Sequence, residues 1–175
     1  MSTKLITYYL EMKSPSKVRC LQIVNPEIEV RQVVTTSPEL NRFFYITVGK
    51  DWYWTERLRW SEEQWLEYAN RPELETWVGY VSGQQAGYFE LEMQPGANVE
   101  IAYLGLLPEF IGKGIGRQLL TAAIERAWQM GAKRVWVHTN TRDHPNALGN
   151  YQARGFRIFK EEEKYIDLPN KKAGV

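Results

Sequence analysis

A carboxylate, Glu100, interrupts the otherwise apolar run Val99–Leu107. Such a run reads as a strand covered on both faces, and a carboxyl group inside it has two readings. Burial raises its pKa into the range where it serves as a base, or a nearby arginine or lysine pairs with it. A few residues on, Leu104-Gly105-Leu106-Leu107-Pro108-Glu109-Phe110-Ile111-Gly112-Lys113-Gly114-Ile115-Gly116-Arg117 carries the chain through a glycine-rich turn into a helix start. That geometry binds phosphate: glycines let the backbone approach an anion, and unpaired amides at the helix start point toward it with a favourable dipole. Lys113 and Arg117 add positive charge. A P-loop would need Ser or Thr after Gly112-Lys113 and glycine at 107, but Gly114 and Leu107 stand there. A dinucleotide fingerprint beginning at Gly112 or Gly114 would need glycine at 117 or 119, the positions of Arg117 and Leu119. His138, Asp143 and His144 lie close in sequence, yet they hold both of the chain's histidines, match no zinc spacing, and His144-Pro145 reads as a helix entry. No metal is expected. The lack of Gly-x-Ser-x-Gly weakens a serine-hydrolase reading.

The elements that must position these residues follow from periodicity and punctuation. Leu5 to Met12 and Ile28 to Val34 suit strands. Ser37-Pro38 opens a helix reaching about Val48, which leads into the aromatic loop Asp51-Trp52-Tyr53-Trp54. Ser61 with Gln64 three residues later is a capping box, and Pro72 stops the helix it starts. Glu75 to Ser82 and Gly87 to Met93, with Gly83 to Ala86 between them, read as an antiparallel hairpin. Val99 to Leu107 is a strand. After the glycines, Ile115, Leu119, Ala123 and Ala127 recur at helical spacing until Gly131. Arg134 to Thr139 is a strand, Pro145 to Arg154 a short helix, and Phe156 to Asp167 a last strand.

The 175 residues fit one domain, expected over 1–170 with a flexible tail at 171–175. With 43% apolar and 25% charged residues, disordered and low-complexity classes are excluded. Lysine plus arginine number 22 against 21 acidic residues, so general attraction to nucleic acid or anionic membrane is weak and any anion site is local. The single cysteine, Cys20, allows no intrachain disulfide, in keeping with a reducing compartment. No run of about 18 apolar residues occurs, and the opening MSTKLITYYLEMKSP lacks the apolar centre of a secretion signal. A cytoplasmic protein is expected.

The C-terminal half resembles the GNAT superfamily, the acetyl-coenzyme A dependent N-acyltransferases, whose pyrophosphate motif is Arg/Gln-x-x-Gly-x-Gly/Ala. Gly114 and Gly116 match it. The resemblance runs from the strand of Glu100 through the glycine turn and resumes at Asn146-Ala147-x-x-x-Tyr151-x-x-x-Gly155-Phe156. Ile111 stands where the family usually has arginine or glutamine, so its side chain cannot bond phosphate, although its amide still could. The resemblance implies a mixed α/β fold: a central, mostly antiparallel sheet with splayed parallel strands and flanking helices. It implies transfer of an acetyl group from acetyl-coenzyme A to a primary amine of a small molecule, without a metal. A non-catalytic acyl-coenzyme A sensor or assembly module, and a protein or peptide acetyltransferase, are the alternatives. A homodimer is left open, and neither nucleic acid nor membrane is an expected partner.

Residue by residue, the resemblance assigns the coenzyme to Leu104, Gly105, Leu106, Ile111, Gly112, Lys113, Gly114, Ile115, Gly116, Arg117 and Asn146, with Asn140 a weaker candidate. The amides of Leu104 to Leu106 would hold the thioester and pantetheine arm, provided that the strand Arg134–Thr139 diverges and leaves them free. Glu100 matches a catalytic glutamate of some members. At a strand rise of about 3.3 Å it lies roughly 13 Å from Leu104, so it would act through water or on an extended acceptor. Tyr151 would protonate the departing thiolate, a phenol of pKa about 10 serving a thiol of about 8.5. Its other reading is a tyrosine packing a short helix onto the sheet. Trp52, Tyr53, Trp54, Trp60, Trp65 and Trp77 are either core or a cage for a cationic amine, with Asp51, Glu56 and Glu90 as candidate selectors of charge. His144 is a further candidate contact.

Overall fold

The computed structural model describes residues 2–21 and 24–167; the tail expected at 171–175 lies outside them. Seven strands form one sheet: β1 (Ser2–Met12), β2 (Ile28–Gln32), β3 (Leu74–Val81), β4 (Gln84–Gln94), β5 (Asn98–Leu106), β6 (Arg134–Asn140) and β7 (Arg157–Asp167). Their spatial order is β2-β3-β4-β5-β6-β1-β7. Every neighbouring pair is antiparallel except β5 and β6. The four helices are α1 (Pro38–Gly49), α2 (Glu62–Ala69), α3 (Ile115–Gln129) and α4 (Ala147–Ala153). The mixed sheet with flanking helices expected from the sequence is therefore present.

Local chemistry accounts for the boundaries. The Ser61 hydroxyl accepts from the Gln64 amide at 3.2 Å while Gln64 returns a bond to the Ser61 amide at 2.9 Å, so α2 starts on a complete capping box. The β3–β4 hairpin is tighter than expected: the turn is Ser82-Gly83, both at positive φ, as a two-residue type I′ connection demands. Strand β4 therefore begins at Gln84.

One apolar stripe of α3, Leu119, Leu120, Ala123, Ile124 and Ala127, is fully buried against Phe89, Leu91, Val99, Val135 and Val137 of the sheet. Each large side chain so buried contributes about 1.5–3 kcal/mol. A second cluster, Phe44, Val48, Val78, Tyr88 and Leu107, fixes α1 on the opposite face. Since α1 and α2 pack on β3, β4 and β5, that face stays open over β6 and β1. There His138 and Phe159 remain accessible.

Candidate functional site

Strands β5 and β6 pair only at Asn98↔Arg134, Val99↔Val135 and Glu100↔Trp136, and then separate. The divergence required of Arg134–Thr139 is met. Between Glu90 and Leu91 of β4 the register with β5 slips, so that Ala102 is an extra residue between Ile101 and Tyr103. A bulge of this kind bends and re-aims its strand. Into the opening falls a cavity of about 1230 Å³, above the usual 300–1,000 Å³ of small-molecule sites and roomy enough for a long ligand together with a second molecule.

At the mouth of the gap, Pro108–Phe110 form a single 3₁₀ turn, after which Gly112 (φ +83°) and Gly114 (φ +77°) bring the chain to the first turn of α3. Gly114 stands at the N-cap in the left-handed region and supplies no side chain, so no capping side chain from that position meets the orphan amides of the helix start. Among the described residues, the amides of Gly112, Lys113 and Gly114 have no acceptor. The Arg117 guanidinium folds back beside Gly114. The Ile111 amide corrects an expectation: it donates to the Pro108 carbonyl at 3.3 Å, closing the 3₁₀ turn, and is not free for phosphate. Its side chain does line the cavity, as do Leu104, Gly105, Leu106, Gly112, Gly114, Gly116, Arg117 and Asn146. Lys113 does not: its ammonium lies 5.6 Å over the Phe110 ring. Nor does Ile115, whose side chain is buried; the placement of its amide at the helix start is unaffected.

On the far side, α4 presents Tyr151 to the cavity. Burial raises its phenol well above the ordinary range, with Asp143 adding to the shift. The ring packs edge-on to Phe156, as the packing reading requires. The loop from β6 to α4 is folded by Asp143, which accepts from the Thr139 hydroxyl at 2.6 Å and the Asn140 amide at 3.1 Å. Asn140 in turn accepts from the Arg142 amide, and His144 Nδ1 from the Asn146 amide. The Asn146 side chain makes no cap bond. This loop meets the aromatic loop in three successive pairs: Trp52 edge-on to His144, Tyr53 beneath Arg142, and Trp54 Nε1 donating to Asp143 at 3.4 Å.

The six aromatics grouped by the sequence divide three ways. Trp52, Tyr53 and Trp54 line the cavity. Trp60 and Trp65 instead surround the protein's own Arg57, whose guanidinium carbon lies 4.7 and 5.9 Å from their rings and 3.9 and 4.3 Å from those of Tyr68 and Tyr103. Trp77 stacks on Phe89 and bonds Glu75, away from the cavity. Glu90 cannot select an amine: it is fully buried, 3.4 Å from Arg57, and accepts from Tyr68 at 2.6 Å and Asn41 at 3.0 Å. Burial opposes the Arg57 charge, but Glu90, with Tyr68 and Tyr103, more than offsets it and raises the pKa. Asp51 is exposed outside the lining, whereas Glu56 is part of it.

Glu100 stands one layer back. Its carboxylate is outside the lining, held by Gln94 Nε2 at 2.8 Å and lying 3.4 Å from His138 Nδ1, and His138 does line the cavity. Sequence reasoning weighed His138 only as a metal ligand. The register that sets it beside Glu100 is a long-range pairing that no local pattern encodes. Thr7 and Tyr9 of β1 and Lys164 of β7 were missed for the same reason. Among the described residues, no group of three His, Cys, Asp or Glu could hold a metal ion. None of their helices is long and apolar enough to cross a membrane.

The profile of the Acetyltransferase (GNAT) family matches residues 38–156. An S-alkylcysteine N-acetyltransferase of Bacillus subtilis is 30% identical over 82 residues, 46% of this chain and 46% of that protein. An uncharacterized N-acetyltransferase of the same organism, YvbK, is 36% identical over 94 residues, 53% of this chain and 57% of the other. The match thus spans about half the length of these curated relatives. Among solved structures, an IAA acetyltransferase from Bacillus cereus superposes with a TM-score of 0.58 at 25% identity, covering 76% of this chain and 79% of that one. A Bacillus subtilis acetyltransferase in complex with CoA gives a TM-score of 0.57 at 23% identity, over 74% and 76%.

Proposed function

Because the chain belongs to the acetyltransferase (GNAT) family, we propose that it transfers the acetyl group of acetyl-coenzyme A to the primary amine of a small molecule. One observation carries the reading: the gap between β5 and β6 opens beside a helix start without a side-chain cap bond, so a strand edge able to bind an extended chain adjoins an amide cradle able to bind its diphosphate. When bound, the coenzyme supplies an activated thioester. The chain does the rest. The amides from Gly112 to Gly116, with Arg117, neutralise the diphosphate, while Lys113 stays at the rim. Main-chain groups from Leu104 to Leu106 align the pantetheine arm, and Asn146 bonds it from α4. Tyr151 is the proton donor to the leaving sulfur; burial raises its pKa, which holds the phenol protonated and makes it a weaker donor than a free phenol. Glu100 is the carboxylate behind proton removal from the amine.

Two features support a small acceptor. The paired loops at Trp52/His144, Tyr53/Arg142 and Trp54/Asp143 narrow the approach, and the similar proteins include one named for S-alkylcysteine. The test is free-thiol release from acetyl-coenzyme A over a panel of arylalkylamines, diamines and amino acids. Turnover of at least one class is expected. Tight coenzyme binding with no turnover of any amine would instead mark a sensor or assembly module.

A further inference from the structure

Glu100 has the chemistry of a base but does not reach the cavity, whereas the imidazole in contact with it does. Resting on the acyl-transfer reading, we propose that His138 Nε2 takes the proton from the acceptor nitrogen and that Glu100 is the positioning residue behind it.

The ring is fixed on both sides. It stacks between Tyr9, with centroids 5.8 Å apart, and Trp136, 6.1 Å apart, each tilted by 29°. Its Nδ1 faces Glu100 Oε1 at 3.4 Å, which favours the neutral tautomer with the hydrogen on Nδ1 and the lone pair on Nε2. Glu100 is itself braced: Gln94 Nε2 holds its other oxygen, and Trp136 Nε1 donates to Gln94 Oε1 at 2.9 Å. The charged surroundings favour an imidazolium. Besides Glu100 on β5, Glu56 after α1 and Asp143 after β6 all raise the His138 pKa above its ordinary 6.5, Glu100 most strongly through its hydrogen bond. From β1 the ring meets the neutral Tyr9, whose hydroxyl is tied to Glu162 and whose ring carries the Lys160 ammonium, both on β7.

The proton balance closes. A neutral amine forms the N–C bond to the thioester carbon and the C–S bond breaks. One proton leaves the nitrogen for His138 Nε2, the sulfur takes one from Tyr151, and solvent restores both residues. The base must be neutral to act, so with a weakly basic amine that is itself neutral across the range the rate rises with pH to a plateau above the His138 pKa.

The test pairs NMR titration of His138 with pH profiles of kcat/KM on the wild type, Glu100→Gln and His138→Gln. Wild-type His138 should titrate above 6.5, and the rising limb should coincide with it. In Glu100→Gln both should move down together, because the carboxylate that stabilised the imidazolium is gone. His138→Gln should lose about 10²–10³ in kcat/KM with coenzyme affinity and thermal stability retained, and imidazole should partly rescue His138→Ala. A His138→Gln enzyme of wild-type rate, or a limb that does not follow the His138 titration, overturns this proposal alone. Coenzyme binding without turnover of any amine overturns the acyl-transfer reading and this proposal with it.

Discussion

From Leu104 to the first turn of α3 the cavity offers main-chain groups, whereas across the opening, from Trp52 round to Tyr9, it offers side chains contributed by β6, β1, β7 and two loops. The first wall depends on a strand that has lost its neighbour and on two glycines at positive φ. The second depends on what has already been claimed inside the protein. Arg57 fills the aromatic box and so closes it to an external cation, and Glu90 neutralises it. A wall of backbone keeps its function through most substitutions, but a wall of side chains is only as stable as the charges buried behind it.

The sharpest way to separate the two walls is Arg57→Ala. Glu90, fully buried, would lose its counter-charge, which costs about 3–5 kcal/mol for a broken buried pair. Urea unfolding should register that loss, and Arg57→Met combined with Glu90→Gln should recover much of it. The molecules still folded should bind coenzyme normally, since neither residue touches the glycine turn. A loss below about 1 kcal/mol would mean that the buried pair does not hold the second wall.

Gly114→Glu breaks the first wall instead. It puts a side chain at φ +77°, a conformation costing about 1–2 kcal/mol, and sets a carboxylate beside Arg117 where the diphosphate would sit. Coenzyme affinity should fall by about 100-fold or more, near 2.7 kcal/mol, as read by calorimetry. The Arg57 cluster should be untouched.

The same division decides what the sequence made legible. The glycine turn, α3 and the strand before it could be read because helical period, capping and φ requirements are local, and the matched segment around Tyr151 recurs at fixed spacing. The parting of β5 and β6 was inferred from what the amides would need. Ala102 carried no signal, since a bulge is a property of two strands. The Ile111 amide was misassigned because Pro108 opens a 3₁₀ turn that consumes it. Six aromatics looked alike in sequence, yet packing sent two to Arg57 and one to the other side of the sheet. Which cation an aromatic group meets is set by contacts tens of residues apart.

Tyr151→Phe asks whether the two walls meet in chemistry. It removes one hydroxyl from a residue whose ring already packs on Phe156, so fold and coenzyme binding should persist. The rate should fall by about 10–100-fold, toward the low end of acid catalysis, since a thiolate of pKa about 8.5 is a fair leaving group unaided. Single-turnover kinetics would show the loss in kcat with KM nearly constant. A loss expressed only as a rise in KM would return Tyr151 to a packing role.

Trp54→Phe should have the smallest effect and is the most discriminating probe of the boundary. The substitution keeps an aromatic ring against Tyr103 and Tyr45 but removes the long 3.4 Å bond to Asp143. The Thr139 hydroxyl and the Asn140 amide stay on Asp143 Oδ2, and Oδ1, which loses Trp54, belongs to a residue that lines the open cavity, so the cost stays near 0.5–1 kcal/mol. Loosening the loop pair should raise KM for the amine by about two- to fivefold and leave coenzyme affinity unchanged. If coenzyme affinity fell in parallel, the loop from β6 to α4 would be transmitting the change to Asn146 and Tyr151, and the two walls would be one coupled site.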